Sequence, residues 1–449
     1  MQRLAALIVL TLTATLPLRA TAAEVTTFTL DNGLDVVLLE DHRAAVVVHM
    51  VWYRAGAADE QPGVSGVAHY LEHLLFKGTD DLAPGEFSRI VAANGGSDNA
   101  FTNQDYTAYF QRVAADRLGL MMQMEADRMR DLQLDQADIL TERQVVSEER
   151  NLRVENEPGA LFSEQRNAAQ YLNHPYGIPT IGWKHEMESL TLENALAFYR
   201  TYYAPNNAIV VIAGDARPDE VRRLAEQYYG PLAPTPDLPP RVRPQEPPQL
   251  SERRMIFEDP RVGQPYVVRS YLAPERDAGD QREAAALTLL AEVLGGSSQT
   301  SELGRRLQFE EQTAIYTSAF YSGVSFDDTT FGLVIVPVPG VTLAEAEAAL
   351  DREVQAFFER GVDPEQLDRI KMQWRADAIY SADSPRRLAQ RYGIALTSGL
   401  TLDDIAQWPD IVQSITPDEI IAAGRRVYDK RNAVTGWLRA PEAAEEVNQ

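Results

Sequence analysis

Residues 69–73 of this 449-residue chain read His69-Tyr70-Leu71-Glu72-His73, and this pentapeptide constrains the rest. Two histidines four positions apart lie on one face of a helix, about one turn from each other, so both can offer a ring nitrogen to a single metal ion. Glu72 falls on the same side. Val64, Val67, Leu71, Leu74 and Leu75 recur at helical spacing and form an apolar stripe, while His69, Glu72, His73 and Phe76 share the opposite face. The spacing predicts a helix with one face in the core and one given to chemistry.

A third donor is expected on a later helix, read over Asp135–Glu155. Glu142 and Glu149 are seven residues apart, two turns along one face, with Val145 and Val146 between them. Glu148 points about 100° away, so Glu149 is the expected third metal ligand.

The amino terminus carries Arg3, an apolar run from Leu4 to Leu18 and small residues at Ala20-Thr21-Ala22, which together read as a cleaved secretory signal over residues 1–23. The chain has no cysteine, so neither a disulfide nor a lipidated thiol is available. Net charge is −24, or −26 without Arg3 and Arg19 of the signal stretch. That balance excludes ordinary nucleic-acid binding and favours cationic over anionic peptide partners. No later segment has the length and hydropathy of a membrane span.

In chain order, strands are expected at Thr26–Leu39, with a turn at Asn32-Gly33, and at Ala45–Arg54, followed by the metal helix and a second helix at Glu86–Ala93. Asn99–Arg112 reads as one aromatic-rich strand, then helices at Asp116–Met129 and Asp135–Glu155, a buried strand at Ala208–Ala213 and a helix at Asp219–Tyr229. Residues 231–250 hold eight of the 26 prolines and read as an extended connector. Beyond it the order of elements repeats, ending in a strand at Ala433–Leu438 that parallels Ala208–Ala213. The helix corresponding to the metal helix carries Glu283 to Leu290 without a histidine, so one metal per chain is expected. The division is therefore a signal at 1–23, a metal-binding domain at 24–230, a Pro-rich linker at 231–250 and a metal-free homologous domain at 251–449.

The motif His69 to His73 is the inverted form of the zincin signature. Together with Asn94 to Thr102, Glu142 to Glu149, His174-Pro175-Tyr176-Gly177 and Tyr202 to Asn207, in that order and spacing, the chain resembles the insulinase-like (pitrilysin) zinc metallopeptidases, and within them bacterial processing proteases and beta-type subunits of the mitochondrial processing peptidase. The resemblance implies an α+β fold of two homologous α/β-sandwich repeats enclosing a cleft or chamber. It implies a zinc endopeptidase in which His69, His73 and Glu149 bind one Zn(2+), Glu72 is the general base on the zinc-bound water, and Glu142 stands behind the ligands. Asn99, Ala100 and Phe101 match the strand that pairs with an extended peptide substrate. Tyr316 matches a substrate-gripping tyrosine, whereas the arginine expected with it falls near Gln312, which lacks a cationic fork. That departure implies a heterodimer with a paralogous chain lacking the zinc motif, or a homodimer. The signal stretch and the absence of cysteine set the expected compartment as the periplasm. A non-catalytic assembly subunit is the alternative. His174 and Tyr176 are expected to be structural, and His42, His49 and His185 have no partner pattern.

Overall fold

The computed structural model describes residues 25–442. The expected signal stretch lies outside the described residues. The first half runs β1 (Val25–Thr29), β2 (Asp35–Glu40), β3 (Val46–Tyr53), α1 (Val67–Leu74), β4 (Gly78–Thr79), α2 (Glu86–Ala93), β5 (Ser97–Thr102), β6 (Thr107–Ala114), α3 (Leu118–Arg130), β7 (Leu132–Gln133), α4 (Gln136–Arg150), α5 (Pro158–Gln170), α6 (Lys184–Met187), α7 (Leu192–Tyr202), β8 (Ala208–Gly214) and α8 (Pro218–Tyr228). The second half runs β9 (Arg253–Glu258), β10 (Tyr266–Ala273), α9 (Arg282–Gly295), β11 (Ala314–Tyr321), β12 (Thr329–Pro337), α10 (Leu343–Arg360), α11 (Pro364–Ala382), α12 (Pro385–Thr397), α13 (Leu402–Ser414), α14 (Pro417–Val427) and β13 (Ala433–Arg439).

Each half builds one main sheet, in the order β1-β2-β8-β3-β6-β5 and β9-β13-β10-β12-β11, and β4 pairs with β7 in a separate two-stranded ribbon of the first half. Apart from β1 the two orders are identical, with β8 and β13 each parallel to one neighbour and antiparallel to the other. The alternation of apolar side chains sends one set to each face. On the inner face of the first sheet, Val36, Leu38, Val51, Tyr109, Val210 and Ile212 pack under α1, α3 and α7. In the second, Val267, Tyr271, Leu333 and Ile335 of the sheet share a core with Leu287 and Leu290 of α9 and Phe357 of α10.

The outer faces are covered by exchange. Leu388, Ala389, Tyr392 and Ala395 of α12, from the second half, pack on Met50, Trp52, Ile209 and Val211 of the first sheet. Reciprocally, Phe162 of α5 packs on Val268 and Leu438 of the second, and the Arg166 guanidinium donates to Ser270 Oγ at 2.8 Å. Each fully buried side chain of this kind contributes about 1.5–3 kcal/mol, so neither sheet is closed without a helix from the other half.

Residues 231–250 form neither helix nor strand, yet they are bound firmly to both halves. Arg243 donates to Asp59 at 2.9 Å and Asp105 at 2.6 Å in the first half, and to Asp327 at 3.0 Å in the second. Arg243 and Arg241 also lie over the Phe326 ring.

Two expectations are corrected. Asn99–Arg112 is two antiparallel strands, β5 and β6, because Asn103 Oδ1 accepts from the Asp105 and Tyr106 amides and folds the chain back. The helix read over Asp135–Glu155 is α-helical only to Arg150 and continues as a π-helical turn at Asn151–Glu155.

Candidate metal centre

Helix α1 begins where Gly66 takes a left-handed φ of 89°, against Gly182 of a passing loop. A Cβ on Gly66 would lie 2.6 Å from the Ile181 carbonyl, so only glycine permits this approach. The free amides of the first turn are satisfied from outside the helix. Glu60 accepts from the Gly66 and Ala68 amides, each at 2.8 Å, and burial pushes its carboxyl up to about 8. Val67, Ala68, Tyr70, Leu71 and Leu74 are buried, and so is His69. The helix is thus packed nearly all round, because α4 lies over the face that carries His69 and His73.

Helix α4 is placed by Arg150, 3% exposed, whose guanidinium donates to the Gly182 carbonyl at 2.8 Å and to Glu164 at 2.9 Å. Gly182 touches Gly66, so one short path of contacts sets the spacing between the histidine helix and the glutamate helix. An N-terminal Asp135 cap, accepting from Ala137 and Asp138, starts α4 two turns before its first inward carboxylate.

These two helices bring His69, His73 and Glu149 together, with one donor atom from each within 4.8 Å of the others. Glu149 Oε2 is 3.1 Å from His73 Nε2 and 3.7 Å from His69 Nε2. Donors about 2.1 Å from a shared tetrahedral ion stand about 3.4 Å apart. Two imidazole nitrogens and one carboxylate oxygen at this spacing fit zinc.

The charges around the triad are ordered. Glu142 Oε2 lies 3.4 Å from His73 Nδ1 and Glu142 Oε1 lies 2.5 Å from Lys77 Nζ. Burial works against ionisation of Glu142, but His73 and Lys77 overcome it and hold its carboxyl below the ordinary range. Burial likewise disfavours a charged His73, yet its hydrogen bonds to Glu142 and Glu149 raise it to about 9. His69 goes the other way, lowered to about 4 by burial and by the neighbouring His73. The hydrogen bond from His73 also holds Glu149 low.

Glu72 sits one position before His73 and accepts from Thr102 Oγ1 at 2.6 Å. Its carboxyl is raised by burial, against the pull of Thr102 and His73. Thr102 ends β5, the free edge of the first sheet, so this bond ties the edge strand to the helix. Asn99, Ala100 and Phe101 lie on that edge. The Phe101 ring is committed to the core against Trp52, at 5.3 Å between centroids, leaving backbone rather than this ring for an added strand. Tyr316 is half exposed on β11, the free edge of the second sheet, and takes no part in the ion pairs of the cluster. Gln312 is exposed just before β11 with a left-handed φ of 54°.

The remaining histidines lie outside the cluster. His49 is buried between Gln111 and Tyr229, and His174 caps the Tyr176 amide and faces Asp327 at 3.1 Å. His42 pairs with Asp215 at the surface, and His185 is exposed. Glu60, Lys77, Thr102, Arg150 and Arg153 were not singled out by sequence reading. Only the i,i+4 spacing of Arg153 from Glu149 was visible there.

Comparison with known proteins adds the following. A family model described as insulinase (peptidase family M16) matches residues 35–184, and one described as peptidase M16 inactive domain matches residues 189–374. The zinc protease PqqE of Helicobacter pylori is 33% identical over 374 residues, covering 80% of this chain and 81% of that protein. A probable mitochondrial-processing peptidase subunit beta of Arabidopsis thaliana is 25% identical over 427 residues, 92% of this chain and 78% of its own. The crystal structure of a protease from Helicobacter pylori superposes with a TM-score of 0.86 at 28% identity, covering 93% of this chain and all of the other. The periplasmic protease PqqL from Escherichia coli shares the fold, with a TM-score of 0.80 at 20% identity, over 93% of this chain and 48% of that one.

Proposed function

The chain belongs to the insulinase family of peptidases, family M16, and from that premise we propose that it is a zinc-dependent endopeptidase acting on peptides or short unfolded segments. The observation that carries this reading is the meeting of His69, His73 and Glu149 beside Glu72.

His69, His73 and Glu149 would hold the zinc, one ion per chain. When bound, zinc supplies Lewis acidity that polarises the scissile carbonyl and makes water easier to deprotonate. Glu72 is the group that takes the proton from the attacking water and returns it to the leaving amine. Burial has made it a stronger base than an ordinary carboxylate, and Thr102 fixes one of its oxygens. Glu142 orients His73 through Nδ1, with Lys77 balancing its charge. The free edge of β5 offers backbone groups to an extended peptide, so Asn99 to Phe101 would bind substrate mainly through main chain.

The working units we assign are residues 24–230 and 251–449, joined through 231–250. The expected arginine partner of Tyr316 is replaced by Gln312, and in PqqL this chain matches about half the length. Both support pairing with a second chain, a paralogue that supplies the missing cation or another copy. We place the protein in the periplasm, in keeping with the amino-terminal sequence and with its structural likeness to the periplasmic protease PqqL. No helix among the described residues is long and apolar enough to cross a membrane.

The test is cleavage of a quenched peptide library by the purified chain before and after chelation, then after zinc is restored. Loss and recovery of cleavage are expected. A chain that holds no zinc and cleaves nothing would favour the non-catalytic assembly subunit instead.

A further inference from the structure

Glu149 presents its two oxygens to different neighbours. Oε2 faces His73 and His69, while Oε1 lies 2.7 Å from the Arg153 guanidinium. Arg153 is 72% exposed, and among the described residues Glu149 is its one carboxylate partner. It sits within the π-helical turn Asn151–Glu155 that follows α4. That turn is stapled across its length, because the buried Arg150 at its entrance donates to Glu155 at its end, at 3.0 Å. The guanidinium is therefore carried on a fixed turn, and such π turns recur where a helix re-aims side chains at a functional site.

We propose that Arg153 is a positioning residue for the metal centre: it holds Oε1 of Glu149 so that Glu149 offers a single oxygen, Oε2, to the ion. Three single-atom donors, two nitrogens and one oxygen, leave room for water and substrate. Without Arg153 the carboxylate is free to turn away from the histidines or to bind through both oxygens, and either change alters the donor set. Lys77 does the corresponding work on Glu142, so each inward carboxylate of α4 has one oxygen toward the histidines and one toward a cation. Charge alone would act the other way: a cation near the site would weaken metal binding, and its removal would tighten it. The two roles thus differ in sign.

This inference rests on the zinc reading above. Its test is competition for zinc between the full-length chain and a chromophoric chelator, for wild type, Arg153→Ala and Arg153→Lys, alongside melting of the zinc-free proteins. Arg153→Ala is expected to weaken zinc binding about 10–100-fold, the usual cost of losing a partner behind a metal ligand. Arg153→Lys, which keeps a donor in reach, is expected to recover most of the loss. Zinc-free melting should be unchanged, since Arg153 is exposed and its contact lies within the site. Equal or tighter zinc binding in Arg153→Ala, or a zinc-free melting point lowered in that variant, would overturn the inference while leaving the zinc reading intact. A wild-type chain that takes up no zinc would overturn both.

Discussion

The two halves of the molecule are the same fold put to different use. In each, a helix lies against an edge strand and against the next helix after α3 or α10: α1 with β5 and α4, α9 with β11 and α11. In the first half the contact between these helices is polar, with His69, His73 and Glu149 converging. In the second the buried stripe of α9 is apolar, with Leu287, Leu289, Leu290, Val293 and Leu294, the polar link from α11 is Gln366, which donates to the Val293 carbonyl at 3.2 Å, and no histidine is present. One architecture supports either this cluster of donors or an ordinary core, and the difference lies in a few side chains on one helix face. The bend into the edge strand differs too. The first half turns through Gly95 at φ 71°, the second through Gln312 at φ 54°.

The sharpest way to separate the halves is at Glu72. Glu72→Gln keeps shape and burial but removes the base, and peptide cleavage is expected to fall by at least 10²–10⁴-fold with zinc still bound. Changing Glu292 of α9 to Gln, on the exposed side of the matching helix, should leave cleavage unaltered.

Next in size is the metal itself. His73→Ala removes one donor and frees Glu142 and Glu149 from their shared partner. Zinc content measured by atomic absorption is expected to drop below one ion in ten chains, whereas wild type should hold one.

The third test breaks the junction between the halves. Arg243→Met removes the nearest cation from the buried Asp59 and Asp105, leaving them Arg241 at 3.6 and 3.8 Å, and is expected to cost about 3 kcal/mol in denaturant unfolding, the lower end for breaking a buried pair. The same junction should be sensitive to acid. Burial would raise the Asp327 carboxyl, but His174 and Arg243 outweigh it and hold it below 3.8. Its contribution is therefore complete above about pH 4 and is lost as pH falls through the lower folded value. Unfolding curves for wild type and Asp327→Asn should converge as the pH is lowered.

The smallest effect is expected at the bend. Gln312→Gly relieves a left-handed residue and should stabilise the chain by about 0.5–1 kcal/mol, read as a rise in melting temperature. Gly95→Gln should lower it.

The convergence of His69, His73 and Glu149 was legible in the sequence because its parts are local. His69 and His73 share a helix face at one-turn spacing, and Glu149 could be picked from its neighbours by the two-turn interval from Glu142. The two-repeat architecture was legible from the recurring order of elements and the Pro-rich stretch between them. What stayed hidden depends on residues distant in the chain. Nothing near Glu60 shows that it will cap α1, and nothing near Arg150 shows that it will reach the Gly182 carbonyl. The exchange of α5 and α12 between the sheets leaves only an apolar stripe on each helix, with no sign of which sheet it covers. The break between β5 and β6 was masked by Phe101, Tyr106, Tyr109 and Phe110, whose strand preference outweighed the turn chemistry of Asn103.

The first half, we propose, holds zinc for chemistry that Glu72 performs. The most direct measurement is zinc content and peptide cleavage on the same preparations of wild type and Glu72→Gln. The expected result is one zinc per chain in both, with cleavage in wild type and none in the variant. Cleavage that survives in the zinc-loaded variant would contradict the role given to Glu72 and the account built on it.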